Sequence, residues 1–222
     1  MQTTKAFTHT QEGVLSTNRV LRNTYALLSA TLLFSGLMAV ISMAISPSQI
    51  VAAVFSLGAF GVLWFVLPRF ENSAGGIGIV FLITGMLGFG LGPMLNYYVG
   101  LANGGSMIAT AMGGTGVIFL SLSAYVLTTR KSFDFLYGML AIGMIVLFGA
   151  IIASFFTQST MLHIGISSGI ILMMSGFILF DTGRIINGGE TNYIRASVNM
   201  FINIFLMFTN LLQLLGIVGG DD

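Results

Sequence analysis

Seven apolar runs of roughly membrane-spanning length divide the chain, and they constrain its fold more than any other feature. Each run is close to the ~20 residues that a helix needs to cross ~30 Å of hydrocarbon. Inside hydrocarbon, only helices and closed barrels satisfy their backbone polar groups. The sequence therefore predicts an all-α integral membrane protein with seven transmembrane helices. The runs cover residues 24–45, 49–67, 75–94, 107–128, 135–156, 161–180 and 198–218.

The composition excludes several classes of protein. Of the 222 residues, 55% are hydrophobic and only 7% are charged, which is too little polar material for the surface of a water-soluble globule. The 29 glycines fit closely packed transmembrane helices. The absence of cysteine excludes disulfides and thiolate metal sites. A net charge of +1, with no basic aromatic patch, gives no reason to expect nucleic-acid binding.

The basic residues predict the orientation of the chain. All eight lie in the amino-terminal tail or in breaks that fall on the same side of the membrane, so the positive-inside rule predicts a cytoplasmic amino terminus and an external carboxy terminus. We expect two parts: a flexible cytoplasmic tail over residues 1–23 and a seven-helix domain over residues 24–222. The tail is not a cleaved signal peptide, whose apolar core would begin earlier. The basic residues are Lys5, Arg19, Arg22, Arg69, Arg130, Lys131, Arg184 and Arg195.

The last two apolar runs carry the polar residues that most need an explanation. Asp181 directly continues the sixth run, and an ionised carboxylate at the centre of a membrane helix costs about 2.5 to 3.5 kcal/mol on insertion scales. In the seventh run Asn199, Asn203, Asn210 and Gln213 fall within a narrow arc of a helix. Lipid cannot hydrogen-bond these amides, so we expect the last helix to be enclosed by protein, with its amides facing Asp181 or other buried polar groups.

Signatures of catalysis are missing from the sequence. It contains no HExxH motif and no phosphate-binding glycine loop, and its one GxSxG match, GISSG (165–169), lies inside the sixth apolar run and not at the strand-to-helix turn of a nucleophile elbow. His9 and His163 are too few to form a metal cluster. We therefore expect no enzymatic activity and no bound cofactor. Pro93 either ends the third helix or kinks it beside a cavity.

Four segments together resemble the Bax inhibitor-1 family of membrane proteins, and more narrowly its bacterial inner-membrane branch, the YccA proteins. No single segment is specific, but the four occur in the expected order over nearly the whole chain. The resemblance implies a fold of six helices surrounding a central seventh. The segments are LSTNRVLRNTY (15–25), GLGPMLNYY (90–98), SAYVLTTRKSFDFL (123–136) and LFDTGRIINGGETNYIRASV (179–198).

The resemblance implies one function based on ion flux. In the calcium-leak members of the family, an aspartate on helix six and another on helix seven share a proton and gate a pore according to pH. Asp181 matches the first, whereas Asn203 occupies the second. An Asp–Asn pair lacks the like-charge repulsion that raises a carboxyl pKa, so pH gating should be attenuated and Ca²⁺ would meet one carboxylate instead of two. Arg184 or Arg69 would neutralise Asp181 further, which favours a structural latch over an ion gate.

The YccA branch implies a second function, as a slowly processed substrate and modulator of the membrane AAA protease FtsH. A polar tail offers a processive unfoldase a segment to engage, while a packed bundle resists extraction. Our leading hypothesis is therefore a non-catalytic inner-membrane protein that binds and inhibits FtsH through its tail, with the loop residues Glu190 and Arg195 on the same side. The alternative is a pH-sensitive calcium or cation leak channel, with Ca²⁺ or H⁺ as the partner. A small-solute transporter is disfavoured, since no inverted repeat is evident.

Overall fold

The computed structural model describes residues 2–157 and 159–219, with side chains from residue 17 onward, and this part of the chain is helical without strands. A π-helical turn, Val62–Val66, joins the second and third helices. The α-helices in chain order are α1 (Gln2–Ile45), α2 (Gln49–Gly61), α3 (Leu67–Phe70), α4 (Gly75–Gly90), α5 (Gly92–Val99), α6 (Gly104–Thr129), α7 (Leu136–Ser154), α8 (Thr160–Ile186) and α9 (Tyr193–Gly219).

Seven helical stretches in the described residues are long and apolar enough to cross a membrane. This confirms the predicted all-α membrane fold. The arrangement of six helices around a central seventh stays a prediction. The low exposure of the last stretch agrees with it, since none of residues 196–217 is exposed. In chain order, spans 1 to 7 are Thr17–Ile45, Gln49–Phe70, Gly75–Val99, Gly104–Thr129, Leu136–Ser154, Thr160–Ile186 and Tyr193–Gly219.

The first helix begins well before the first span. The sequence predicts a flexible tail over residues 1–23, whereas the backbone is helical from Gln2 onward. Residues 2–16 contain no proline, and a helix that extends an existing one gains a hydrogen bond for each residue it fixes without a new nucleation step. Flexibility of the tail in solution stays a prediction, and Met1 lies outside the described residues.

Two prolines interrupt the helices of spans 2 and 3 without ending them. The predicted second run stops at residue 67, but the helix continues through Pro68 to Phe70, because the backbone widens into the π-helical turn and Leu67 N–H bonds to the Val62 carbonyl. In span 3, α4 ends at Gly90 and α5 runs from Gly92 to Val99. Pro93 therefore marks a break inside the span and not its end.

The chain divides into two compact units. Unit 1 consists of Met1–Gly92 and Asp181–Phe201, and unit 2 consists of Pro93–Phe180 and Ile202–Asp222. Each unit thus combines consecutive spans with part of α8 and α9. The polar loop between spans 6 and 7 belongs to unit 1.

In unit 1, α4 packs against both α1 and α2. Glycines let the backbones approach: a Cβ on Gly85 would lie 2.7 Å from the ring of Phe34, and one on Gly88 would collide with the Ser35 carbonyl of α1. The rings of Phe34 and Phe81 meet edge to face with centroids 5.4 Å apart. Such close small-residue contacts provide the dispersion attraction that holds helices together in lipid.

In unit 2, glycines of α8 lie against leucines of α7. A Cβ on Gly169 would lie 2.8 Å from Leu147, and one on Gly176 would lie 2.8 Å from Leu140. At the far end of α9, Gly216 is in contact with the ring of Tyr98, which is buried. The carboxy-terminal half of α9 is therefore closely packed within its own unit.

Candidate functional site

The polar segment between α8 and α9 begins with a well-defined helix end. Gly188 has a φ of +76°, which favours glycine, and follows the last turn of α8. Gly189 N–H bonds to the Arg184 carbonyl at 2.8 Å, and Gly188 N–H bonds to the Ile185 carbonyl at 3.3 Å. This pair of bonds is a Schellman motif. Asp181 and Arg184 therefore lie in the last turns of α8, beyond residue 180, where the predicted sixth run ends.

The amino terminus of α9 is capped by Asn192. Its Oδ1 accepts hydrogen bonds from Ile194 N–H at 2.9 Å and Arg195 N–H at 3.2 Å. These are two of the backbone donors that lack a partner at the start of a helix. The Glu190 carboxylate in turn accepts the Asn192 N–H at 2.9 Å. The helix therefore begins at residue 193, which corrects the predicted start at 198 and puts Arg195 in the first turn.

Asn192 also joins this segment to the loop between spans 2 and 3. Its Nδ2 donates to the Glu71 carbonyl and to Asn72 Oδ1, both at 2.9 Å. Arg195 donates through Nε to Glu71 Oε2 at 3.1 Å and through Nη2 to Glu71 Oε1, so the pair is bidentate. We call the set Glu71, Asn72, Arg184, Glu190, Asn192 and Arg195 the polar cluster; all six belong to unit 1.

The charges of the polar cluster balance. The buried Glu190 carboxylate lies 3.9 Å from Arg184 Nη2 and 4.0 Å from Arg195 Nη1. Arg184 Nη2 also donates to the Gly189 carbonyl at 3.0 Å. Two arginines and two glutamates thus share one network, and each carboxylate in it has a guanidinium beside it. In the described residues, no three His, Asp or Glu side chains come together as a possible metal site.

A serine extends these contacts to the first helix. Ser197 Oγ is buried and shares its one hydroxyl proton between the Tyr193 carbonyl at 2.6 Å and the Thr24 carbonyl of α1 at 3.1 Å. The start of α4 is equally close, since a Cβ on Gly76 would lie 3.1 Å from Ile194 Cδ1. The first turns of α9 are therefore held by α1, by the start of α4 and by the loop between spans 2 and 3. Chemically, this arrangement fastens helices to one another.

The structure brings together some of the predicted site residues. Glu190, Arg184 and Arg195 meet in the polar cluster, whereas Arg69 is exposed at the end of span 2 and forms no ion pair with a side chain that the structure describes. Asp181 is half-buried in α8. The predicted pairing of Asp181 with Asn203 stays a prediction.

The predicted amide stripe of α9 is poorly accessible. Asn203 and Asn210 are 6% and 8% exposed, and Asn199 and Gln213 are half-buried. Asn210 Nδ2 donates to the Leu206 carbonyl of the preceding turn at 2.7 Å. Asn203 and Asn210 are therefore kept from solvent and lipid, as expected for polar groups in a membrane helix.

Three members of the polar cluster were missed from sequence. Asn192 had a readable signal, because Asn immediately before a helix is a preferred cap. Glu71 and Asn72 had none, since they lie about 120 residues from the side chain that binds them. Their loop reads only as a polar break between apolar runs.

Comparison with known proteins identifies the family. The sequence model described as "Inhibitor of apoptosis-promoting Bax1" matches residues 17–220, which include all seven spans. The chain belongs to this family. The resemblance to the Bax inhibitor-1 family is thereby confirmed, and with it the assignment to a family of membrane proteins.

Relatives within the Bax inhibitor-1 family extend over almost the full chain. A Vibrio cholerae relative, named an uncharacterized membrane protein, is 48% identical over 221 residues, which are 99% of each chain. An Escherichia coli K12 relative is 45% identical over 216 residues, 96% of each chain, and is named modulator of FtsH protease YccA. A relative in Escherichia coli O6:H1, with the same identity and coverage, is named inner membrane protein YccA.

Proposed function

We propose that this chain is a non-catalytic inner-membrane protein that binds and restrains the membrane AAA protease FtsH through its amino-terminal tail. The observation that supports it most is the relative named modulator of FtsH protease, which is 45% identical over 96% of both chains. The relative named inner membrane protein supports the location. The distribution of the eight basic residues supports a cytoplasmic amino terminus and an external carboxy terminus.

The shape of the first helix suits engagement by an unfoldase. The backbone is helical from Gln2, so the polar segment before span 1 is continuous with that span. A pull on this segment is transmitted directly to span 1, which is held by α4 and by Ser197 of α9. Slow extraction keeps the protease occupied, and other membrane substrates are spared.

Removal of the tail tests this proposal. A variant lacking residues 2–13 keeps every span, and we expect it to lose co-purification with a proteolysis-inactive FtsH and to lose protection of a second FtsH substrate in cells. Removal of residues 220–222 at the opposite terminus is the matched control and should leave both unchanged. Protection that survives the deletion of residues 2–13 would overturn the role of the tail.

The buried amide of Asn203 favours a second candidate function, a calcium or cation leak with attenuated pH gating. This residue is 6% exposed inside an apolar span, and the resemblance implies that leak members of the family carry an aspartate at its position. An amide at residue 203 adds no second ionisable group to Asp181, so a steep response to pH is not expected. Asp181 would be the residue that meets Ca²⁺.

Flux measured in liposomes that contain a calcium dye tests the leak. We expect a weak dependence on pH for the wild type, a steeper one for Asn203→Asp because two neighbouring carboxylates cannot both ionise cheaply, and reduced flux for Asp181→Ala. Flux no greater than that of protein-free liposomes at every pH would exclude this function and leave the protease proposal intact.

A further inference from the structure

The break in span 3 leaves one backbone carbonyl without its regular partner. In an α-helix, the carbonyl of residue 89 accepts from the N–H of residue 93. Residue 93 is proline, which has no N–H to donate. Leu91 N–H is directed towards the carbonyls of both Gly88 and Phe89, and the bond that it closes, at 3.1 Å, is to Gly88. Within a membrane such a carbonyl is costly unless another group reaches it.

A side chain from the first span supplies the missing donor. Ser42 Oγ of α1 donates to the Phe89 carbonyl at 2.6 Å. Ser42 is fully buried, and Gly92 allows the approach, because a Cβ at residue 92 would collide with the Ser42 hydroxyl. Ser42 of span 1 thus donates to the Phe89 carbonyl of span 3, which lacks its regular helical hydrogen bond.

This bond lies at the opposite end of span 1 from the contact with α9. Ser197 holds the carbonyl of Thr24 near the start of the span, and Ser42 lies close to its end at Ile45. Between them the Phe34 ring packs edge to face on Phe81. Extraction from the amino terminus releases the contact at Thr24 first, and it must then withdraw Ser42 from the Phe89 carbonyl.

We propose that the Ser42–Phe89 hydrogen bond is the point at which withdrawal of span 1 stalls, and that it sets the rate at which the protease degrades this chain. The inference rests on the proposed function, because it concerns the same encounter with FtsH. The physical reason is that withdrawal of span 1 removes the Ser42 hydroxyl from the Phe89 carbonyl. That carbonyl stays in the membrane, and Pro93 has no N–H to donate to it. The step that withdraws Ser42 is therefore unfavourable.

The test measures the half-life of the full chain in proteoliposomes that contain purified FtsH and ATP. The Ser42→Ala variant should be degraded about threefold faster or more, as expected from the loss of an interhelical hydrogen bond of ordinary strength in a membrane. Ser29→Ala is the matched control on the same helix, since Ser29 is exposed and its Oγ donates to the Tyr25 carbonyl of its own helix. Its half-life should equal that of the wild type.

A second variant separates the effect of losing this bond from the effect of general destabilisation. Pro93→Ala restores an N–H for the Phe89 carbonyl, so it should speed degradation by itself and reduce the further effect of Ser42→Ala to less than about twofold. This variant also provides the test if Ser42→Ala alone fails to fold. Binding to a proteolysis-inactive FtsH should be unchanged in all variants.

The outcomes distinguish the two proposals. Half-lives of Ser42→Ala and Pro93→Ala equal to the wild type, with binding intact, would overturn the role of the Ser42–Phe89 bond alone. An equally large effect of Ser42→Ala in both backgrounds would overturn it as well. A wild-type chain that FtsH neither binds nor degrades would overturn the proposed function itself.

Discussion

A single amide, that of Asn192, holds the start of α9 and the loop between spans 2 and 3 at the same time. Its oxygen caps the helix, and its nitrogen donates to the Glu71 carbonyl and to Asn72. Both ends of the amide are therefore used, and no other residue type of this size offers an acceptor and two donors. Asn192 is the residue on which the polar cluster depends.

Asn192→Ala should lower the free energy of unfolding by about 1 to 2 kcal/mol, because it removes the cap and leaves backbone groups of both segments without partners. The measurement is thermal unfolding of the purified protein in detergent. Asn187→Ala is the control, since Asn187 is exposed and, among the residues whose side chains the structure describes, its amide donates to the Gly183 carbonyl of its own helix. Equal losses in the two variants would contradict the role of Asn192.

The ion pairs around Asn192 should matter less than the amide itself. The Arg195 side chain is 47% exposed, and exposed pairs are typically worth about 0 to 1 kcal/mol. We expect a coupling energy in that range between Glu71→Gln and Arg195→Gln in a double-mutant cycle, and a smaller one at high salt. A coupling well above this range would mean that the pair is effectively removed from solvent.

At the scale of the element, α9 packs closely against Tyr98 at its far end. The Tyr98 ring lies directly against Gly216, so an added methyl group at residue 216 has no space. Gly216→Ala should destabilise the protein by about 1 to 3 kcal/mol through overpacking. Gly113→Ala on α6, where a Cβ meets nothing within 4 Å, should be neutral or slightly stabilising. Thermal unfolding of the two variants checks this contrast.

The sequence predicts where the spans lie much better than where their helices end. All seven apolar runs coincide with helices, because hydrocarbon demands a helix of that length and apolar character. The sixth run ends before Asp181, yet α8 continues to Ile186. Hydropathy reports transfer into lipid, whereas helix ends are set by local bonds such as the glycine turn at Gly188 and the cap at Asn192.

The partners within the candidate site were beyond the reach of sequence reasoning. Glu190 and Arg195 can be recognised in the sequence as charges beside an apolar run, and both belong to the polar cluster. Glu71 is separated from Arg195 by 124 residues, and no periodicity links the two positions. Likewise, Pro93 predicts a break in span 3, but it does not predict that Ser42 donates to the Phe89 carbonyl. Such contacts follow from the packing of distant helices.

For the whole molecule, the distribution of basic residues predicts one orientation. The chain has no cysteine, so single cysteines can report it without background. Ala102 and Ser132 are both exposed and lie in the breaks after spans 3 and 4. In intact cells stripped of the outer membrane, an impermeant thiol reagent should label Ala102→Cys and leave Ser132→Cys unlabelled until the membrane is disrupted. The reverse pattern would contradict a cytoplasmic amino terminus.

The restraint of the protease is tested most directly by competition in a defined membrane. FtsH is reconstituted in proteoliposomes with ATP and a second membrane substrate, and the degradation rate of that substrate is measured as the full chain is added. The rate should fall with increasing amounts of the chain and should recover when the variant lacking residues 2–13 is added instead. A rate that stays unchanged at a large excess of the full chain would contradict protease restraint.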